Sequence, residues 1–298
     1  CDTEFPNEDI LQSYAYKYGT SMAAPHVSGT AGLMLSANPD LTAIQIREIL
    51  QFTAVDVNAS SNLGNDRYLG YGRIDAYEAV KVAKIMADNN LTMLLTGIVF
   101  GEITEGVLLY GDVTIPEDIE VNMNVNIMVY NSNLSIIGSE NNPIIITGDS
   151  WEGIKITNSH ILLNYVNITG SNLYGICLDG NTSGWIKNCN INDNNIGIEL
   201  HSIDNTFLLS DNNIFENQLI GVLIYNSSLN IINNDIYSNS FIGITFLGGS
   251  NPKLNSNHIY LNGLINGDVS SGVYILGSSP TFIDKINETL LLDYPVNN

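Results

Sequence analysis

The chain has 298 residues, of which 31 are acidic and 10 are basic, and its formal net charge at pH 7 is −21. A surface of this charge repels phosphate backbones and anionic lipids, which excludes nucleic acids and anionic membranes as the expected partners. No apolar run approaches the length of a membrane-spanning helix, about 18 residues. Structural calcium is compatible with the acidity, although no ligand pattern predicts a metal or cofactor site. The length has room for two domains.

The three cysteines, Cys1, Cys177 and Cys189, are too few for a disulfide framework and do not form a CxxC motif. A disulfide bond between Cys177 and Cys189 is possible, but the sequence does not predict it. The chain begins at Cys1 without an initiator Met or a signal peptide, so we expect it to be cut from a longer protein. Residues 1–18 are polar and then aromatic, and are expected to form a strand or loop that leads into the next segment.

The first distinctive stretch comprises residues 19–29, which read GTSMAAPHVSG. Gly19 permits backbone angles that other residues avoid, and Ser21 falls at the start of a helix, where unpaired N–H groups and the helix dipole stabilise negative charge. Pro25 is tolerated near the first turn, and the small residues around it predict a helix that packs closely and is buried. The alternative for Ser21 is the N-cap of an ordinary core helix.

An Asn-Pro pair at residues 38–39 is expected to end this helix, and two more helices follow. Thr42 and Gln45 have the spacing of a capping box, in which each residue bonds to the backbone of the other. Asp75 and Glu78 repeat this spacing. The pattern therefore predicts two short capped helices after the serine helix.

This order of features, with the sequence GYGRIDA at residues 70–76, resembles the C-terminal third of the catalytic domain of the subtilisin-like serine proteases. The resemblance covers about residues 10–88. It implies part of an α/β fold, in which Ser21 is the nucleophile that forms an acyl-enzyme with a protein or peptide substrate. It also implies that the backbone N–H of Ser21 is an oxyanion donor, and that the protein is secreted or lies at the cell surface.

The other catalytic groups of that family have no counterpart in this sequence. The family's aspartate lies in an Asp-Ser/Thr-Gly context, its histidine in a His-Gly-Thr context, and an upstream asparagine completes the oxyanion hole. His26 matches the structural histidine of the serine helix, whereas His160, His201 and His258 have no matching context. Because a serine without a neighbouring base is a poor nucleophile, we predict that this chain is inactive by itself.

From about residue 111 onward the helical spacing ends and a fixed period begins. Neighbouring glycines of one column are separated by 22, 22, 24 and 22 residues, and three further columns keep a similar step. The four columns are Gly153, Gly175, Gly197, Gly221 and Gly243; Ile168, Ile191, Ile214, Ile236 and Ile259; Leu163, Ile186, Leu209, Ile231 and Leu254; and Asn194, Asn217, Asn239 and Asn262.

These columns predict a right-handed parallel β-helix, in which each repeat forms one coil and the coils stack about 4.8 Å apart. Apolar side chains stack inside, and stacked Asn side chains bond to one another at a turn. The segment resembles the repeats of pectate-lyase-like proteins and of periplasmic copper-enzyme maturation proteins, with residues 111–154 as the first coils. The period is too short for a β-propeller, and the Leu/Asn spacing of a leucine-rich repeat is absent.

Catalysis by the β-helix itself is not favoured. Polysaccharide lyases and hydrolases of this fold use Arg or Lys beside acidic clusters. All the arginines precede the repeats: Arg47, Arg67 and Arg73. Three aspartates of the repeats fit turns, where Asp is common: Asp193, Asp211 and Asp235.

An aromatic column and the cysteines fit the same frame. Phe215, Tyr237 and Tyr260 align in the repeat. They either present rings to sugars or to a protein, or form an ordinary ladder that stabilises the coils, which we favour. Cys189 occupies the column that holds Asn residues in later coils, and Cys177 aligns with an outward position. The last repeat runs over residues 272–283 and lacks a capping helix, so we expect a truncated C-terminal end.

We therefore predict a multidomain chain. Residues 1–88 form the C-terminal part of a subtilisin-like catalytic domain, residues 89–110 connect, and residues 111–298 form an all-β right-handed parallel β-helix. The expected function is that of a secreted serine endopeptidase whose β-helix targets or anchors it, with a polysaccharide or a cell surface as further partner. Two alternatives stay open: an adhesion or carbohydrate-binding protein with a vestigial protease part, and a polysaccharide-active β-helix enzyme.

Overall fold

The computed structural model describes residues 17–98, 105–115, 120–122, 126–148, 151–263 and 272–283. The chain divides into two compact units, of which the first ends at Ala87 and the second begins at Asp88. Helices make up the regular structure of the first unit, and parallel strands make up that of the second. The fold class expected from the sequence is confirmed: a few helices precede a parallel β-helix.

The helices are α1 (Thr20–Ala37), α2 (Ala43–Phe52) and α3 (Ala76–Asp88). The strands are β1 (Met93–Ile98), β2 (Val107–Ile115), β3 (Glu120–Asn122), β4 (Ile127–Tyr130), β5 (Asn133–Ile137), β6 (Ile144–Thr147), β7 (Ile154–Thr157), β8 (His160–Asn164), β9 (Val166–Thr169), β10 (Tyr174–Asp179), β11 (Ser183–Lys187), β12 (Asn190–Asn192), β13 (Ile196–His201), β14 (Leu208–Ser210), β15 (Asn213–Phe215), β16 (Ile220–Tyr225), β17 (Asn230–Ile232), β18 (Asp235–Tyr237), β19 (Ile242–Leu247), β20 (Lys253–Asn255), β21 (His258–Tyr260), β22 (Val273–Leu276) and β23 (Thr281–Phe282).

The second unit has three faces, and each full coil contributes one strand to each face. Strand β10 lies in the first face, β11 in the second and β12 in the third. In one coil β10 pairs with β7 and β13, β11 with β8 and β14, and β12 with β9 and β15, all in parallel. Strand β2 pairs with both β4 and β5 and so joins the first two faces. Strand β1 pairs with β2. Regular strand structure therefore begins inside the stretch 89–110, which the sequence analysis treats as a connection.

The apolar columns of the sequence are register partners in the structure. Ile191 pairs with Ile168 and with Ile214, and Ile186 pairs with Leu163 and with Leu209. All six of these side chains are fully buried in one continuous core. Because every coil places the same residue type over the previous one, the apolar surface of each coil is covered by its neighbours.

The Asn column forms a hydrogen-bonded ladder inside the turns of the coils that contain Asn194, Asn217, Asn239 and Asn262. The Nδ2 of Asn217 donates to the Oδ1 of Asn239 at 2.9 Å and to the Ile191 carbonyl at 3.1 Å, and its Oδ1 accepts from the backbone N–H of Asn194 at 3.1 Å. The side chain is fully buried. A buried amide is tolerated only with such partners. Asn262 is the last member of the ladder among the described residues, and its Oδ1 accepts from Asn239 at 2.9 Å.

A second ladder contains Asn212, Asn234 and Asn257, and it begins at a cysteine. The backbone N–H of Cys189 donates to the Oδ1 of Asn212 at 3.0 Å, and Asn212 donates to Asn234 at 2.8 Å. Both Cys189 and Cys177 are free thiols, so the bond left open by the sequence is absent between these two described residues.

The glycine column makes room for the Asn ladder. A Cβ atom on Gly221 would lie 2.6 Å from the Gly243 carbonyl oxygen and 2.7 Å from the Nδ2 of Asn239. The same two kinds of neighbour confront Gly175 and Gly197. The column therefore has a steric cause: the backbone of the next coil and the amide of the ladder occupy the space of a side chain.

The helical unit confirms the predicted caps. Thr42 and Gln45 form a reciprocal capping box at the start of α2. The Oδ1 of Asp75 accepts from the backbone N–H of Glu78 at 2.9 Å, so Asp75 caps α3. Gly72 has φ 113° and stands directly against the Val55 backbone, where a side chain would clash. The sequence GYGRIDA thus attaches the start of α3 to the chain that follows α2.

The burial of α1 differs from the prediction. Val27 is 43% exposed and Leu33 is 56% exposed, whereas Met34 is fully buried. The small and apolar residues of α1 are suited to a core, but the described residues cover one side only, through contacts that bury Met34 and Thr30. The exposed apolar side chains are the physical consequence of that one-sided packing.

Candidate functional site

The serine turn is formed by a glycine that precedes the helix. Gly19 is the N-cap of α1 with φ 131° and ψ 170°, and its carbonyl oxygen accepts from the N–H groups of Met22 and Ala23 at 3.0 and 3.2 Å. Ser21 is therefore the second residue of the helix and not its N-cap. Its own N–H precedes the first intrahelical bonds, at the positive end of the helix dipole. This position suits an oxyanion donor.

The side chain of Ser21 is exposed, and no hydrogen-bond partner is found for its hydroxyl among the described residues. His26 lies five residues further on, about 140° around the helix axis. Its Nδ1 lies 2.7 Å from the Met22 carbonyl oxygen, so the ring is held against its own helix. This geometry agrees with a structural role for His26. In the described part of the helical unit, no side chain is in position to take a proton from Ser21.

Pro25 lies deeper in the helix than the sequence analysis expected. It is the sixth residue of α1, so it stands in the second turn. An amide at this position would donate to the carbonyl of Ser21, and proline removes that bond. Pro25 was expected near the first turn, and it lies about two residues beyond that turn, because the helix begins at Thr20.

An apolar groove adjoins the serine helix within the helical unit. It encloses about 460 Å³ between α1, α2 and the segment that precedes α3. Val27 and Ala31 contribute from α1, Ile46 and Leu50 from α2, and Ile74 from the segment. Arg47 and Tyr71 border the groove, and the exposed Val27 of α1 is part of its lining.

A polar groove of about 500 Å³ crosses several coils of the β-helix. Its main row consists of the register partners Asp112, Asn133, His160 and Ser183. Asn133 donates to Asp112 at 2.7 Å, and the Nδ1 of His160 lies 3.0 Å from the Ser183 hydroxyl. The lining thus consists of amides, hydroxyls, one imidazole and one carboxylate, which together offer many hydrogen-bond donors and acceptors.

The aromatic column forms a continuous stack on the third face. The rings of Phe215 and Tyr237 are 5.1 Å apart at 4° and those of Tyr237 and Tyr260 are 5.1 Å apart at 9°. Stacking between neighbouring coils is the geometry of a stabilising ladder.

The three aspartates that were predicted in turns differ from one another. Asp235 belongs to strand β18, so the prediction of a turn was wrong there. Asp193 and Asp211 have positive φ values, which are typical of turns.

Two family models match the chain. The right-handed β-helix model matches residues 119–287, which is more than half of the chain, and the chain belongs to this family. The subtilase family model of peptidases matches residues 6–72. Residues 6–72 thus resemble part of a subtilase, and a parallel β-helix follows them in the chain. In the part of the chain that the structure describes, no helix is both long and apolar enough to cross a membrane.

The curated relatives match about a quarter of this chain. The halolysin-like extracellular serine protease Nep of Natrialba magadii is 50% identical over 62 residues, 21% of this chain and 10% of that protein. The extracellular serine protease of Serratia marcescens is 38% identical over 72 residues, 24% of this chain and 7% of that protein. Subtilisin DY of Bacillus licheniformis is 44% identical over 69 residues, 23% of each. The chain spans less than a quarter of the length of these relatives.

Among solved structures, a double mutant of the periplasmic alginate epimerase AlgG is similar with a TM-score of 0.40 and 18% identity. The similarity covers 61% of this chain and 51% of that one.

Sequence reasoning missed two groupings on the β-helix. His160 has no catalytic context in the sequence, yet its register partners make it part of the polar groove. Cys177 aligns with Glu199, but the histidine two residues after that glutamate was not connected with them. In a strand, residues two apart share a face. The sequence Glu199-Leu200-His201 opposite a cysteine was the available signal.

Proposed function

We propose that Ser21 is the nucleophile of a subtilisin-like serine endopeptidase, which acts on proteins or peptides in a longer protein that contains this chain. The observation that carries the proposal is the position of Ser21: within the segment that matches the subtilase family, it is the second residue of a helix that starts at a left-handed glycine turn. The general base, its orienting acid and a further oxyanion donor would come from residues outside this chain.

The chemistry follows from that position. The Ser21 Oγ attacks the carbonyl carbon of the scissile peptide bond, and the external base takes its proton. The N–H of Ser21 donates to the oxygen that becomes negative. The base then protonates the leaving amine, and water hydrolyses the acyl-enzyme to release the serine. Without the base, the hydroxyl stays protonated and unreactive.

The exposed side of α1 supports the need for further residues. Val27, Leu33 and the groove beside Ile46 present apolar surface that a helix of a finished domain would bury. We propose that the remainder of the catalytic domain covers this side and brings the base to Ser21.

A fluorophosphonate probe tests this proposal. Incubated with the longer protein, the probe should label Ser21 and the label should be lost in the Ser21→Ala variant. Ser28→Ala is the matched control, because Ser28 is a serine of the same helix whose hydroxyl donates to the Ala24 carbonyl at 3.2 Å. The chain of 298 residues alone should remain unlabelled. Absence of labelling in folded, longer protein, or equal labelling of the Ser21→Ala variant, contradicts the proposal.

We further propose that the protein is secreted, and that its β-helix binds carbohydrate outside the cell. Secretion is supported by the relatives whose names describe them as extracellular serine proteases. The polar groove supports carbohydrate binding, because its amides and hydroxyls fit the hydroxyl groups of a sugar chain. The net charge of −21 favours neutral over acidic polysaccharides.

Binding to soluble neutral glucans and to uronate polymers, measured by affinity electrophoresis, separates these possibilities. Neutral glucan should retard the chain, and the Asn133→Ala variant should be retarded less. His258→Ala is the control, because His258 lies on another face and is bound to Asp235 at 2.8 Å. A chain that no polysaccharide retards, or one that binds only uronates, contradicts the carbohydrate proposal and leaves the protease proposal intact.

A further inference from the structure

Three side chains with metal-binding atoms meet on the first face of the β-helix. Cys177 in β10 is the register partner of Glu199 in β13, and His201 lies two residues beyond Glu199 on the same side of that strand. The sulfur, one carboxylate oxygen and one ring nitrogen all lie within 4.8 Å of one another. The His201 Nε2 and the Glu199 Oε1 are 2.6 Å apart.

The parallel register produces this cluster. Directly opposite residues on neighbouring parallel strands stand about 4.8 Å apart, and residues two apart on one strand share a face. Cys177 is only 6% exposed, since the larger side chains of Glu199 and, on the other side, Lys155 flank it. The outward position expected for Cys177 is therefore correct in direction, but the thiol is covered by its neighbours.

We propose that Cys177, Glu199 and His201 form a binding site for a divalent transition metal ion, with Zn²⁺ as the fitting ion. Thiolate, imidazole and carboxylate are the three donor types that zinc accepts in proteins, and three protein ligands leave a fourth position for water. This mixed set is unlike the all-oxygen sets that Ca²⁺ and Mg²⁺ prefer.

The geometry requires small side-chain movements only. Ligand atoms around a tetrahedral zinc ion lie about 3.5 Å apart, given metal–ligand distances of about 2.0–2.3 Å. Glu199 and His201 would separate from their present hydrogen bond, and the sulfur would approach both. The thiol proton is released to solvent when the sulfur becomes a ligand. The ring of Tyr225, the register partner of His201 on the next strand, has its centroid 5.8 Å from that of His201.

The charges around the thiol favour a cation. Glu199 is the register partner of Cys177 on one side and Lys155 is its partner on the other, and the carboxylate of Asp179 also acts on the sulfur. Two carboxylates thus outweigh one ammonium group at the sulfur. A bound metal ion would supply positive charge beside these carboxylates.

Two features of the same β-helix provide matched controls. Cys189 is also a free thiol, but it is completely buried and its sulfur donates to the Lys187 carbonyl at 3.0 Å. His258 and Asp235 form another histidine–carboxylate pair at 2.8 Å, and they belong to no thiol-containing cluster among the described residues. A site that needs all three donors should depend on neither control.

The test is a metal titration of the whole chain after treatment with a chelator. Zn²⁺ is measured by competition with a chromogenic chelator, and Co²⁺ by its absorption, because a thiolate ligand gives cobalt a near-ultraviolet charge-transfer band. We expect one ion per chain and a cobalt–thiolate band. Cys177→Ser should abolish the band, and Cys177→Ser and His201→Ala should each weaken Zn²⁺ binding at least about tenfold.

The control variants Cys189→Ser and His258→Ala should retain the band and bind Zn²⁺ within about twofold of the original chain. Tryptophan fluorescence verifies folding, and His201→Ala provides the test if Cys177→Ser proves unstable. No stoichiometric binding, or equal affinity in Cys177→Ser and Cys189→Ser, overturns the proposal. Because the titration involves no protease activity, its outcome is independent of the function proposed for Ser21.

Discussion

The two units of this chain satisfy their buried groups in different ways. In the β-helix, each coil is covered by the next one, so Ile191 and Asn217 find their partners at the same positions one coil away. In the helical unit, α1 has one buried side and one exposed apolar side. A repeating architecture completes its core from neighbouring repeats, whereas a piece of a non-repeating domain depends on sequence-distant elements.

The same comparison explains the glycines. In the β-helix, Gly221 is surrounded by the next coil, and a side chain has no space. In α1, nothing lies within 4 Å of a Cβ atom added to Gly29 or Gly32. No described residue fills the space beside these helical glycines. Substitution of glycine by alanine should therefore destabilise the β-helix and stabilise α1, which tests the difference between the two regions.

The largest effect is expected for Asn217→Ala. The change removes a fully buried amide and leaves the Asn194 N–H and the Ile191 carbonyl without this partner. At about 1–3 kcal/mol for each buried unsatisfied group, the free energy of unfolding should fall by about 3–4 kcal/mol. Urea unfolding followed by tryptophan fluorescence measures it, because both tryptophans, Trp151 and Trp185, lie in the β-helix.

Asn213→Ala is the control for that measurement. Asn213 is exposed, and among the described residues its side chain donates only to the Oδ1 of Asn190, at 2.9 Å. The loss should stay below about 0.5 kcal/mol. Equal losses in the two variants would show that the buried ladder does not stabilise the coils.

The next largest effect is expected for Gly221→Ala. The new methyl group would press on the Gly243 carbonyl and the Asn239 amide. Overpacking of this kind costs about 2 kcal/mol, and the same urea experiment detects it. Gly272 continues the column, but the nearest atom to its Cβ position is the Ile259 Cγ2 at 3.5 Å, which is an ordinary contact. Gly272→Ala should therefore cost much less, and a cost equal to that of Gly221→Ala contradicts the steric explanation.

The smallest effect, with the opposite sign, is expected for Gly29→Ala. In the chain of 298 residues, alanine should stabilise α1 by about 1 kcal/mol, because glycine costs this much in an exposed helix. Hydrogen exchange of the α1 amides should slow about fivefold. In the longer protein, where we propose that α1 is covered, the gain should vanish. Stabilisation of the same size in both proteins would contradict the proposed cover.

Much of the β-helix could be predicted from the sequence, because residues one period apart become register partners on neighbouring coils. The Ile, Leu, Gly and Asn columns each correspond to one register position. The caps at Thr42 and Asp75 were equally readable, because capping depends on residues three apart. The predicted end of the β-helix after residue 283 lies outside the described residues, as do residues 1–16.

The remaining features depend on distances that a period does not give. The cluster of Cys177, Glu199 and His201 needs two strands in register and a shared face, and only one of these relations was noticed in the sequence. Strand β1 was missed because it precedes the first full repeat, although Leu94 is buried. The exposed side of α1 could not be predicted. The small and apolar residues of a helix indicate that it is suited to a buried position, but they do not show which residues of the chain pack against it.

Hydrogen exchange resolved along the chain tests the central claim most directly, namely that the described coils of the β-helix cover one another, whereas one side of the serine helix is left uncovered by the described residues. In the chain of 298 residues, the amides of α1 should exchange at least about 100-fold faster than those of the central strands β10, β13 and β16, because fewer buried contacts oppose local opening. Protection of α1 equal to that of these strands would contradict the claim, and with it the proposal that further residues complete the site of Ser21.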